Sequence, residues 1–126
     1  MRFTLQTVVL LASGFAMANP PAVQKSGFEP YPSARNLCSE HVAGNSMHLA
    51  WTSWATKDEL AAVVAHYEKA TGQKAGTGER GERTFTDGKD LRLSVYPASK
   101  HDAFPKCDKK PAADEKTVVL ISQAIR

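Results

Sequence analysis

Only two cysteines, Cys38 and Cys107, occur in the 126 residues, and after residue 18 no stretch approaches the roughly 20 apolar residues that a membrane span needs. There is room for one cystine and no more. Charge is nearly balanced as well: 16 Lys and Arg stand against 13 Asp and Glu, and a formal +3 is too mild to argue for a nucleic-acid partner. Motifs are equally sparse. There is no C-x-x-C and no H-x-x-x-H, so His41, His48, His66, His101 and the cysteines offer no metal-ligand spacing, and no metal or cofactor is expected. The absence of G-x-S-x-G removes the nucleophile elbow, and the absence of G-K-[ST] removes the P-loop. Acidic pairs fall at a helix start (Asp58-Glu59) or in loops (Asp87 and Asp90, Asp114-Glu115), which suits no carboxylate dyad. Gly76 to Gly81 matches G-x-G-x-x-G literally, but it follows a helix and leads into a strand. A dinucleotide site needs the reverse order, so the run reads as a solvated loop.

What is present begins with an address. Arg2, the apolar run to Phe15 and the small-x-small triplet Ala16-Met17-Ala18 read as a signal peptide over residues 1–18, cleaved after Ala18. That implies a periplasmic or secreted chain, and an oxidising compartment in which Cys38 and Cys107 are expected to pair. The loop they would close is about 70 residues, worth roughly 4 kcal/mol in the chain-entropy model. Residues 19–36, with Pro20, Pro21, Pro30 and Pro32, read as an extended arm from which Phe28 and Tyr31 can reach the domain surface. Residues 37–126 are expected to form one domain.

Within it, Met47 to Ala55 alternates as a strand, with Leu49 and Trp51 on one face and His48, Thr52 and Trp54 on the other. Thr56-Lys-Asp-Glu59 has the form of a capping box, which places the helix start at Thr56. Leu60, Val63, Val64 and Tyr67 make one apolar stripe, and Gly72 supplies the stop. Arg83 to Thr86 and Leu91 to Tyr96 flank an Asp87-Gly88 hairpin signal. From Pro97 to Lys116 no pattern is visible. Thr117 to Ile125, apolar on both faces at its start, reads as a central strand. The expected fold is α+β, one amphipathic helix on a small, mostly antiparallel sheet in the order β-α-β-β-β, with one disulfide.

If the helix covers Leu49, Trp51, Leu91, Leu93 and Val95, pleating turns His48, Thr52, Trp54, Arg92 and Tyr96 to the opposite side. These five are the candidate binding residues, because they combine flat aromatic area with a forked donor. The competing reading has the arm, or the loop around Phe104 and Cys107, folded over that face. No catalytic residue is assigned.

The run W-x-x-W-x-T from Trp51, followed by D-E-L-x-x-V-V-x-x-Y-E, resembles small exported bacterial α+β domains of unassigned activity. The resemblance implies a fold and carries no site residue. The expected function is therefore a non-enzymatic module binding a protein or small ligand. The alternatives are a small extracytoplasmic hydrolase or metal-dependent enzyme using histidines assembled by the fold, and an inhibitor of an extracellular enzyme.

Overall fold

A computed structural model describes residues 27–104 and 109–126. The expected signal peptide, the first part of the arm and Cys107 lie outside the described residues. Seven elements of regular structure frame the rest: β1 (Arg35–Ala43), β2 (His48–Thr56), α1 (Leu60–Thr71), β3 (Gly76–Thr77), β4 (Arg83–Asp87), β5 (Leu91–Pro97) and β6 (Thr117–Ile125), with a 3-10 segment at Ala98–Ala103. The strands form one six-stranded sheet in the order β1-β2-β6-β5-β4-β3. Every neighbouring pair is antiparallel. A hairpin, β1-β2, is thus followed by a helix that carries the chain across the sheet, and a meander returns so that β6 slots in beside β2.

This corrects the expected order β-α-β-β-β. Two strands are absent from that expectation: β3, two residues of the run read as a solvated loop, which pairs with β4 at the far edge, and β1, for which the reason is physical. It is an edge strand in which only Leu37 is buried, and a register shift between Asn36 and Cys38 breaks its alternation. The disulfide expected within that fold is not among the described contacts, since Cys107 lies outside them; Cys38 is not a free thiol.

β6 holds the sheet together because its side chains are apolar on both sides. Val119 and Ile121 join the helix-side core with Trp54, Val63, Val64, Tyr67, Phe85, Leu93 and Val95. Val118 and Leu120 join a second core on the opposite face with Leu37, Ala55, Tyr96 and Phe104. The stretch expected to lack pattern therefore contributes to packing, through the 3-10 segment and Phe104. Fully burying a side chain of this size contributes about 1.5–3 kcal/mol, so a sheet covered on both sides gathers much of its stability around β5 and β6.

The helix starts later than the capping-box reading places it. Thr56 stays in the sheet opposite Thr117, and its carbonyl accepts from the Lys116 amide at 2.8 Å. Its hydroxyl accepts from the Asp58 amide at 3.3 Å, and Glu59 takes the N-cap position with no side-chain cap bond. Strand pairing has claimed the residue that local chemistry would have used as a cap. At the other end Gly72 adopts a left-handed φ of 74°, and its N–H donates to the Glu68 carbonyl at 3.0 Å.

Part of the expected arm is built into the domain. Phe28 is 1% exposed within the helix-side core. Gly27 has φ of 88°, and a Cβ there would lie 2.7 Å from the Ala70 carbonyl oxygen, so the close approach to the helix end requires glycine. The Tyr67 hydroxyl donates to the Glu29 carbonyl at 2.6 Å. The Tyr31 hydroxyl donates to Asp58 Oδ2 at 2.6 Å, and this bond, with burial, pushes its phenol up to about 12.

A second tie joins the start of β1 to the approach to β6. Arg35 donates to both Glu115 oxygens, at 3.1 and 2.7 Å, and the Ala112 amide donates to Glu115 Oε1 at 2.7 Å. The Arg35 hydrogen bonds, aided by the amide and opposed by burial, hold the Glu115 carboxyl below the ordinary glutamate value of 4.5. A carboxyl depressed in the folded state contributes stability above its unfolded value and loses it as pH falls through the folded one. Glu115→Gln is therefore expected to melt below the parent at pH 7, and the gap should narrow once pH drops under 4.5. Thermal unfolding from pH 7 to pH 3 measures this; a gap that stays constant across the range would remove the linkage.

Candidate functional site

Residues directly opposed in an antiparallel ladder share a face, so the register assigns every side chain. Thr52 opposes Ile121, and Ile121 opposes Leu93. Thr52, with His48 and Trp54, thus points to the helix side. Trp51 opposes Ser122, and Ser122 opposes Arg92. Trp51 therefore shares the other face with Arg92 and Tyr96, the reverse of the expected assignment of the two tryptophans. The five candidate residues are divided between two faces and make no single surface.

Their surroundings differ accordingly. Trp54 is 8% exposed and belongs to the helix-side core. Thr52 is buried, its hydroxyl 3.0 Å from that of Ser39. Tyr96 is fully buried, stacked on Phe104 with ring centroids 3.8 Å apart, and its hydroxyl lies 3.0 Å from His101 Nδ1. Burial alone pushes its phenol upward. His48 is exposed and sits against His41. Of the five, Arg92 alone lies in a cleft with an accessible polar head.

That cleft, about 530 Å³, opens on the face away from the helix, between the β3–β4 connection and strands β5 and β6. Arg92, Ser94, Ser122 and Arg80 supply polar groups to its lining, and Leu120 and Phe104 supply apolar surface. Glu82 ties these groups together. It is 5% exposed; its Oε1 accepts from the Arg80 amide at 2.9 Å, and its Oε2 takes Arg92 Nη2 at 3.4 Å. Glycine at position 78 leaves room for this carboxylate, since a Cβ there would stand 2.2 Å from it and displace the side chain.

Two guanidinium groups flank the cleft as a result. The Arg92 side chain remains 48% exposed despite its ion pair, which leaves donors of its fork facing solvent. The Arg80 guanidinium lies over the Phe104 ring at 5.6 Å from the centroid. Ser94 and Ser122 hydroxyls make no hydrogen bond to described residues. Glu79 and Glu82, which also line the cleft, offset the two arginines in formal charge. The cleft therefore offers directed donors and apolar surface rather than a strong field.

A larger cavity, about 630 Å³, lies between the 3-10 segment and residues 110–116. Two of its charged groups are paired: Lys116 with Glu59 at 2.7 Å, and Glu115 with Arg35. Ser99, His101 and Asp102 also line it, and His101 Nδ1 lies 3.0 Å from the Tyr96 hydroxyl. Among the described residues, no three or more of His, Cys, Asp and Glu cluster in a metal-binding arrangement, and no helix is long and apolar enough to cross a membrane.

Sequence reading missed Arg80, Glu82 and Ser122. Ser122 was accessible in principle, since it follows Leu120 by two on β6. Glu82 and Arg80 belong to the glycine-rich loop, whose role in seating a carboxylate beside Arg92 depends on β4 and β5 pairing. The chain matches no family model, no curated protein and no solved structure.

Proposed function

We propose that this chain is an exported, non-enzymatic binding module whose Arg92 cleft takes a small ligand carrying a carboxylate and an apolar group. The carrying observation is the Arg92 guanidinium, held in place by buried Glu82 and still half open beside two serine hydroxyls that lack described partners. A planar fork already fixed by one carboxylate loses little freedom on engaging a second. The Phe104 and Leu120 surface suits the apolar part of such a ligand. The residue 1–18 pattern supports export, to the periplasm or outside the cell.

N-acetylphenylalanine and acetate, titrated into 15N-labelled protein, separate the two parts of the reading. N-acetylphenylalanine is expected to move the amides of Gly78 to Glu82, Arg92 to Ser94 and Ser122, and to bind more tightly than acetate. Arg92→Gln should weaken it about tenfold or more, the scale of a lost charged hydrogen bond. Shifts scattered outside the cleft, or unchanged affinity in Arg92→Gln, would overturn the assignment.

A further inference from the structure

The hairpin at the opposite edge of the sheet carries a separate arrangement. His41 opposes Ala50 and His48 opposes Ala43, which makes the two histidines diagonal neighbours on the helix side. His41 Nε2 and His48 Nδ1 are 3.0 Å apart, with ring planes 9° from parallel. The α1 helix packs over β4 and β5, and both rings are left exposed. Between them the chain turns tightly, with the Gly44 N–H donating to the Met47 carbonyl at 2.8 Å, so the strands that present the rings are fixed at their near end.

Two ring nitrogens at this separation share one proton, and they are also spaced as adjacent ligands of one ion. Imidazole nitrogens bind zinc at about 2.0–2.1 Å, so two of them at roughly 90–109° about a metal stand about 2.9–3.4 Å apart. The ion lies off the line joining the nitrogens and needs only modest rotation of two solvent-facing rings. The donating imidazole shifts its proton through solvent to its other nitrogen, leaving both binding nitrogens with free lone pairs and no net loss of a proton.

We propose that His41 and His48 form a two-imidazole site for a late first-row divalent cation, with Cu2+ the tightest. No third His, Cys, Asp or Glu joins them among the described residues. The remaining coordination positions belong to water, which makes the site open. It lies on the other face of the sheet from the Arg92 cleft and stands or falls independently of it.

The test is titration of CuCl2 into untagged protein, read by calorimetry and electron paramagnetic resonance. One saturable equivalent is expected, with superhyperfine coupling to two nitrogens. His41→Gln and His48→Gln should each weaken binding about tenfold or more, and each should leave one coupled nitrogen. His66→Gln, on the helix, should retain the parent affinity. A parent that shows no saturable binding below roughly 1 mM, or whose spectrum reports other than two nitrogens, overturns the site without recourse to variants. Affinity held within about twofold in both edge variants overturns it too.

Discussion

Phe28→Ala is expected to destabilise the protein by about 3–5 kcal/mol, the range for removing a buried phenylalanine. The ring is 1% exposed and belongs to the core that contains Val63, Val64 and Tyr67 of the helix and Leu93 and Ile121 of the sheet. The backbone on either side is committed to the same place. Gly27 fits against Ala70 only for want of a Cβ, and the Glu29 carbonyl receives the Tyr67 hydroxyl at 2.6 Å. The site has little freedom to collapse, which puts the cost in the upper part of the range. Urea denaturation of Phe28→Ala and Phe28→Leu measures it, with the leucine variant intermediate. A loss below about 1 kcal/mol would mean that residues 27–34 are not part of the cooperative unit.

On the other face, Tyr96→Ala should cost a similar amount, about 3–5 kcal/mol, while Tyr96→Phe should cost only about 0.5–1.5 kcal/mol for the lost hydrogen bond to His101. Tyr96 is fully buried and its ring lies 3.8 Å, centroid to centroid, from that of Phe104. The contrast separates packing from ligand contact. If Tyr96 supports the cleft from within, Tyr96→Phe keeps the affinity for N-acetylphenylalanine and lowers the melting temperature slightly. A large loss of affinity with unchanged stability would instead return Tyr96 to the binding surface.

The two tryptophans illustrate how far local pattern reaches. Their spacing of three says that they cannot share a face of a strand, and they do not: Trp54 lies in the helix-side core and Trp51 packs with the other. Which faces which was decided by pairing with β6. Since Val118 and Leu120 are buried on one side and Val119 and Ile121 on the other, that strand gives no preference for either phase. An error of one residue in phase then exchanged every side chain of β2, and it divided His48, Thr52 and Trp54 from Arg92 and Tyr96.

By itself the sequence determined what depends on a few neighbouring residues. The Asp87-Gly88 turn set the β4–β5 hairpin, with Gly88 at φ of 67°. The helix stripe chose Val63, Val64 and Tyr67 as the buried face, and Gly72 ended it. The apolar run from Val118 to Ile121 marked the strand with no exposed side. Tertiary structure decided the rest because each remaining feature joins residues whose proximity no local signal encodes. Thr56 gave up its cap role to a ladder partner 61 positions on, at Thr117. β1 became a strand only against β2, its own alternation being interrupted by a bulge. The Glu82 carboxylate met Arg92 through the pairing of β4 with β5, and His41 met His48 through the pairing of β1 with β2. Hydrophobic period and turn chemistry act over a turn or two of chain, whereas register, which sets both candidate sites, is fixed by the sum of contacts across the whole sheet.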